Sequence, residues 1–297
     1  MTEILLAIIT GLIAMLAWGI GDFFAKKSID DIGEYATLFW GHIYGCGFFL
    51  AILYDRVVKN HAKCRYPENP NEWLSLIFFG TLQAIIYLLL YRGFRKGQLS
   101  ILNTIFASYS GITVLLSILL FNEKLAIYSS LSLMILFIGI ILMNLDSKAL
   151  IKGKISFIKT PGLVEVIIAT VLAAIWTILW SDFVDHRDAF TYSFYMYFIM
   201  TAAIVLWCLF KRVKLISSND NGWAYCVFIG LLECTAYIAV STGYRWTHYT
   251  SIVALLSGAF SLPVVILSRI FLWEIPTRIQ YIGIALVIIG IVLLSFS

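Results

Sequence analysis

The chain has 297 residues, of which 61% are apolar and only 13% are charged. Soluble domains average roughly 45 to 50% apolar and about a quarter charged residues, so this composition excludes an ordinary soluble protein and indicates an integral membrane protein. The formal net charge of +4 is modest. It suits contact between loops and anionic lipid headgroups of the bilayer, and it gives no sign of a nucleic-acid partner.

Ten apolar segments follow one another along the chain. Each is close to the ~20 residues that a helix needs to cross the hydrocarbon core of a bilayer, whereas a β-barrel would show only short alternating segments. The first segment lacks a basic n-region and is too long for a signal peptide, so we expect a retained helix in a cell-membrane protein. The segments are residues 4–24, 36–54, 73–91, 99–121, 127–145, 163–181, 190–210, 223–243, 249–272 and 279–296.

An internal repeat divides these segments into two groups of five. Residues 221–245 match residues 71–95 at eight positions, and the second halves of both groups continue to match after one inserted residue. Five spans per group would make the second copy enter the membrane from the opposite side, as in the inverted repeats of secondary transporters. The matched pairs are Asn71/Asn221, Trp73/Trp223, Phe78/Phe228, Gly80/Gly230, Leu82/Leu232, Tyr87/Tyr237, Gly93/Gly243 and Arg95/Arg245, then Glu123/Glu274 and Gly139/Gly290.

This arrangement resembles the drug/metabolite transporter superfamily, and its EamA family in particular. The residues that carry the resemblance are Glu123 and Glu274 before the last helix of each half, and Trp18, Gly19, Phe23, Phe24 and Lys26 in the first helix. The resemblance implies an all-α polytopic membrane protein with ten transmembrane helices, arranged as two inverted five-helix repeats around a central cavity. The repeats would be residues 1–145 and 162–297, with a basic loop over 146–161 between them.

The resemblance also implies exchange of small solutes by alternating access, and family members generally have both termini in the cytoplasm. Basic residues are commoner in the odd-numbered connections, which by the positive-inside rule would place both termini outside. The orientation therefore stays open. So do the solute, the direction of transport, and the choice between a monomer and a homodimer.

Glu233 is the first candidate for chemistry, because it is an acid in the middle of the eighth segment. A charged acid at the centre of a transmembrane helix costs about 2.5 to 3.5 kcal/mol, so it usually faces a cavity or a partner. One reading is a carrier that couples transport to protons or another cation. The other is a neutral acid hydrogen-bonded to Gln83 or His42 that holds the two halves in register. Gln83 occupies the position equivalent to Glu233 in the first repeat.

His42 is the second titratable candidate. Its ordinary pKa of about 6.5 would suit a proton relay or a substrate contact, and the alternative is a neutral histidine that donates to a neighbouring carbonyl. Gly41 and Gly45 beside it form a small-xxx-small pattern, which predicts close helix packing.

Aromatic residues near mid-depth form a further group of candidates, for which simple packing is the alternative. Tyr87 and Tyr237 lie four residues after Gln83 and Glu233, and therefore one turn further along the same helix face. A ring and a polar group pointing into one volume would suit an aromatic or cationic solute. The group consists of Trp18, Trp40, Tyr87, Tyr109, Trp176, Trp180 and Tyr237.

The fourth and ninth segments carry helix-interrupting residues at nearly equivalent places. These are 108–111 (SYSG) and 257–263, which ends in Pro263; such interruptions in both halves point to a transporter's site or to its moving parts. A packing kink is the alternative. We expect Glu123 and Glu274 to be structural, because a carboxylate in the first turn of helices 5 and 10 is favoured by the helix dipole.

The sequence favours a secondary transporter of small organic solutes, such as amino acids, amines or sugars, over two other classes. An intramembrane enzyme acting on a lipid would need a nucleophile and base or a metal set, and neither HExxH nor GxSxG occurs. A non-transporting subunit would not need the repeat. No catalytic residue, cofactor or metal site is predicted, and the five cysteines are interpreted as small buried apolar residues.

Overall fold

The computed structural model describes residues 3–59, 66–121, 125–144, 160–215, 221–275 and 277–294. These residues form helices joined by short turns, with no strand among them. Most of the predicted loop over 146–161, together with Glu123 and Pro276, lies outside the described residues. The helices are α1 (Glu3–Ile32), α2 (Glu34–Tyr54), α3 (Pro70–Lys96), α4 (Leu99–Ala107), α5 (Tyr109–Phe121), α6 (Ile127–Asn144), α7 (Leu163–Val184), α8 (Ala189–Phe210), α9 (Asn221–Trp246), α10 (Thr250–Gly258), α11 (Ser261–Phe271) and α12 (Arg278–Leu294).

The all-α prediction is confirmed, and within the described residues eight spans are long and apolar enough to cross a membrane. Two of the eight are broken helices, α4 with α5 and α10 with α11. The predicted fifth and tenth spans are shorter apolar helices, α6 and α12.

Helix boundaries differ most from prediction at the polar end of α1. This helix continues eight residues past the predicted end at Phe24, through a polar segment in which Lys26 pairs with Asp30 one turn later at 2.9 Å. Gly33, with a φ of 90°, then ends it and starts α2; a left-handed backbone at this turn costs glycine little. In α3, Asn69 caps the start by accepting from the Glu72 amide at 2.9 Å, and Pro70 occupies the first turn.

The two halves run in opposite directions through the bundle. Lys26, in the last third of α1, donates to the Phe94 carbonyl near the end of α3, and Lys96 at that same end pairs with Glu165 in the first turn of α7. The end of α1 and the beginning of α7 therefore lie on one side. We call the side where α1 begins the terminal face, and the side of Lys26 and Lys96 the opposite face.

Packing across the halves follows the repeat. Helix α9 packs mainly on α1 and α2, whereas its copy α3 packs on α7 and α8, and α6 packs on α12. Each half thus inserts its third helix between the first two helices of the other half. This exchange places the middle of α3 and α9 at the centre of the molecule, where Gln83 and Glu233 lie.

Candidate functional site

A cavity of about 40 Å³ lies between the two halves. Its wall comes from α1, α3, α4, α5 and α7 and from the break between α10 and α11. Five of the predicted site residues line it, namely Trp18, Gln83, Tyr87, Tyr109 and Trp176. Sequence reasoning missed the other polar and aromatic members of the wall, which are Asp22, Phe106, Thr177 and Phe260.

Tyr237 packs against two aromatic residues of the wall without lining the cavity itself. Its ring centroid lies 5.6 Å from Trp18 and 6.2 Å from Trp176, and its hydroxyl accepts from Gln83 Nε2 at 2.7 Å. The predicted polar–aromatic faces of α3 and α9 therefore meet, although Gln83 pairs with Tyr237 and not with Glu233.

Glu233 and His42 lie one layer further out, in a buried polar cluster. The carboxylate of Glu233 accepts from Tyr197 at 2.8 Å and from Tyr91 at 3.4 Å. Nε2 of His42 lies 3.4 Å from Oε2 of Glu233, and Nδ1 of the same ring is 2.8 Å from the Leu38 carbonyl. The cluster joins α2, α3, α8 and α9. This arrangement matches the alternative in which a buried Glu233 holds the two halves in register, and its neighbour is His42 and not Gln83.

Asp22 is a functional candidate that the sequence did not single out. It is 8% exposed, lines the cavity one turn after Trp18, and accepts from Asn103 Nδ2 at 2.6 Å. The first apolar segment was predicted to end at Phe24, two residues after Asp22. Because α1 continues to Ile32, Asp22 instead lies about 15 Å inside the helix end.

Several buried polar atoms at this site lack a hydrogen-bond partner in the structure. They are Trp18 Nε1, Gln83 Oε1 and Asn103 Oδ1. Buried polar groups are usually paired with protein, water or a ligand, and leaving one unpaired costs about 1 to 3 kcal/mol. Trp18 and Gln83 line the cavity, and Asn103 holds the Asp22 carboxylate. The cavity wall thus offers one unpaired donor, Trp18 Nε1, and one unpaired acceptor, Gln83 Oε1, to whatever fills it.

Both broken helices meet at this cavity. The break between α4 and α5 is at Ser108, and that between α10 and α11 is at Ala259 and Phe260, so the two positions differ by the repeat offset of 151 (259 minus 108). Pro263 explains the second break, because its ring excludes the carbonyl four residues earlier. The prediction of paired interruptions is confirmed, and Tyr109 and Phe260 at the breaks form part of the wall.

A larger opening on the terminal face, which we call the vestibule, lies next to the cavity. It has a volume of about 560 Å³ and includes the side chains of Glu3, Asp182, Asp185 and His248. Ser181 lines this vestibule, whereas Thr177, one turn away on α7, lines the cavity. Tyr244 of the vestibule and Tyr109 of the cavity both approach Ser257, so a thin layer of side chains separates the two spaces.

Other predicted residues lie away from the cavity. Trp40 donates to the Leu215 carbonyl near the opposite face, and Trp180, fully buried, donates to Ser241 at 3.1 Å. Glu274 was expected at or just before the first turn of the last helix, and it lies four residues before α12. It accepts from the Ser100 amide at 3.1 Å, at the start of α4, where a carboxylate also meets the positive end of a helix dipole.

Residues 5–145 and residues 160–296 each match the EamA-like transporter family. The chain belongs to this family. Two separate matches that together cover nearly the whole chain agree with the two repeats read from the sequence, and members of the EamA family are generally transporters and not enzymes.

Two other proteins are similar to this chain. The uncharacterized protein MJ1333.1 of Methanocaldococcus jannaschii is 30% identical over 146 residues, which are 48% of this chain and 98% of that protein. That relative is therefore about as long as one repeat. A solved structure described as "Crystal structure of protein" superposes with a TM-score of 0.73 at 15% identity, over 98% of this chain and 96% of the other, and it supports the fold alone.

Proposed function

We propose that this EamA-family protein is a secondary transporter that binds a small organic solute in the central cavity and passes it across the membrane by alternating access. The proposal rests on the composition of the cavity wall. It is built from both repeats and presents unpartnered polar atoms of Trp18 and Gln83 between aromatic rings. Solute pockets in transporters of repeated architecture form at this kind of interface.

The cavity is too small for an organic solute in the present arrangement. An apolar cavity that holds benzene measures about 150 Å³, whereas this one measures about 40 Å³. The structure therefore corresponds to a closed arrangement. Opening would require the two helix breaks or the layer at Ser257 to move. Because the vestibule already reaches that layer, the route to the cavity from the terminal face is shorter than the route from the opposite face.

Counterflow into proteoliposomes tests the proposal. Purified protein, screened with radiolabelled amino acids, sugars and amines with and without a pH gradient, should exchange at least one class of solute. Ala173→Leu, which fills the cavity from its wall, should abolish that exchange. The matched control is Ala202→Leu on the lipid-exposed side of α8, which should retain it. Absence of exchange for every solute would refute transport, and full exchange by Ala173→Leu would refute the site.

A further inference from the structure

We infer that the solute is a small organic cation with an aromatic or other flat apolar group, and that its ammonium group binds to Asp22. This inference rests on the proposed transport function and adds the substrate class. Three independent features of the structure carry it: the charge of the cavity wall, its rings and open acceptor, and the charge of the vestibule.

The cavity wall carries an acid and no base. Asp22 is the charged side chain among the described residues that line it. Asn103 donates to Oδ2 of Asp22, so the other carboxylate oxygen is available for a ligand. Glu233 is close enough for its charge to interact with that of Asp22. A bound anion would meet repulsion here, whereas a cation would compensate a carboxylate removed from water.

The remaining wall suits the rest of such a ligand. Trp18, Tyr87, Tyr109 and Trp176 surround the cavity, and aromatic rings attract an organic cation while packing against its apolar part. The open Gln83 Oε1 is an acceptor. An ammonium group has only donors to offer, and it would satisfy an acceptor that the protein itself leaves unpaired.

The vestibule has the charge expected of a route for cations. Glu3, Asp182 and Asp185 line it, and none of the described residues in its wall is Lys or Arg. A cleft lined by one sign of charge raises the local concentration of oppositely charged solutes. The acidic vestibule and Asp22 lie on the same path, separated by the layer at Ser257, so selection by charge would act both at the mouth and at the site.

Three probes of one shape and different charge test the class. Phenethylamine, phenethyl alcohol and phenylacetate share a ring and a two-carbon or shorter arm, and they are cationic, neutral and anionic at pH 7. We expect equilibrium binding of the amine to purified protein to be at least tenfold tighter than binding of the other two. This comparison on the wild-type chain does not depend on any variant folding.

Two variants locate the effect. Asp22→Asn keeps the shape and an acceptor for Asn103, and it should weaken amine binding by roughly 10- to 100-fold, because a hydrogen bond to a charged group is lost, while alcohol binding stays the same. Asp182→Asn in the vestibule should keep the equilibrium preference. Equal or tighter binding of the alcohol or the acid, no binding of the amine, or an unchanged preference in Asp22→Asn would each overturn the inference.

The outcomes for transport and for substrate class can be told apart. Counterflow of some other solute without amine binding would leave transport standing and remove the cation assignment. Amine binding that depends on Asp22, without counterflow of the amine or of any other solute, would refute transport and leave a cation-binding membrane protein.

Discussion

Glu233 shows how single residues in this bundle serve two purposes. Its carboxylate accepts hydrogen bonds from the hydroxyl groups of Tyr91 and Tyr197 and lies against His42, so it connects four helices. Nε2 of His42 lies 3.4 Å from Oε2 of Glu233 and has no hydrogen-bond partner in the structure. A buried acid is a candidate for carrying a coupling proton, and the same carboxylate links the helices through its hydroxyl partners.

Glu233→Gln separates these roles. If Glu233 carries the coupling proton, the variant should still fold and exchange solute, but the pH dependence of exchange should disappear, because an amide cannot gain or lose that proton. The measurement is counterflow between about pH 5.5 and 8.5, a range that spans the ordinary histidine titration.

Tyr197→Phe is the control for Glu233→Gln. It removes a hydrogen bond to the same carboxylate and leaves the acid in place, so some pH dependence should remain. A pH profile of Glu233→Gln that matches the wild type would end the coupling hypothesis and leave Glu233 as a structural link.

At the scale of helices, glycines determine how closely the two repeats approach. A Cβ added at Gly230 of α9 would lie 2.7 Å from the Gly41 carbonyl oxygen of α2. In the other copy, a Cβ at Gly80 of α3 would lie 2.9 Å from the Met196 carbonyl oxygen of α8. Both distances are too short for carbon, so each contact brings backbone against backbone. The predicted close packing at Gly41 and Gly45 is confirmed.

Gly230→Ala should therefore destabilise the protein. Backbone cannot move aside as a flexible side chain does, and overpacking of this kind costs typically about 1 to 3 kcal/mol. We expect a lower midpoint of thermal unfolding in detergent, measured by the loss of monodisperse protein. The matched control is Gly47→Ala on α2, where an added Cβ meets nothing within 4 Å; it should be neutral or slightly stabilising, because alanine favours a helix. Equal midpoints for the two variants would contradict the packing argument.

For the whole molecule, the inverted halves predict a site that is reached from both faces in turn. The vestibule and the cavity lie along α7, with Ser181 in the first and Thr177 in the second. In a closed arrangement, a water-soluble reagent reaches Asp182, which is exposed and lines the same vestibule, and does not reach Thr177, which is buried. When the halves rearrange, Thr177 should become accessible from each side.

Cysteine labelling measures this accessibility. In a background without the native cysteines, Thr177→Cys should react with a small membrane-impermeant thiol reagent added on either side, whereas Asp182→Cys, at an exposed position of the vestibule, should react from the terminal face alone. Ser193→Cys is the control, because Ser193 is buried and bonded to Ser241 at 2.7 Å between α8 and α9, and it should not react. Reaction of Thr177→Cys from one side only, with and without solute, would contradict alternating access.

The amino-acid sequence was sufficient to predict the properties that depend on local sequence patterns. Length and apolarity of each segment indicated membrane helices, the match between 71–95 and 221–245 indicated two copies, and five spans per copy indicated opposite directions. The breaks near Ser108 and Pro263 were also predictable, because proline and small polar residues act on the backbone of their own helix. Trp18, Gln83 and Tyr237 were found near the centre because helical spacing places them on inward faces.

The partners of the polar groups follow from the three-dimensional packing of the helices. Asp22 was not among the predicted site residues, and it lines the cavity within a helix that continues up to Ile32. Gln83 pairs with Tyr237 and Glu233 pairs with Tyr197, although the two acid and amide positions are equivalent in the repeat. The hydrogen-bond partner of a buried side chain depends on the rotation and depth of the neighbouring helix. Packing against glycines such as Gly80 and Gly230 sets that rotation and depth, and the spacing of residues within one segment does not reveal them.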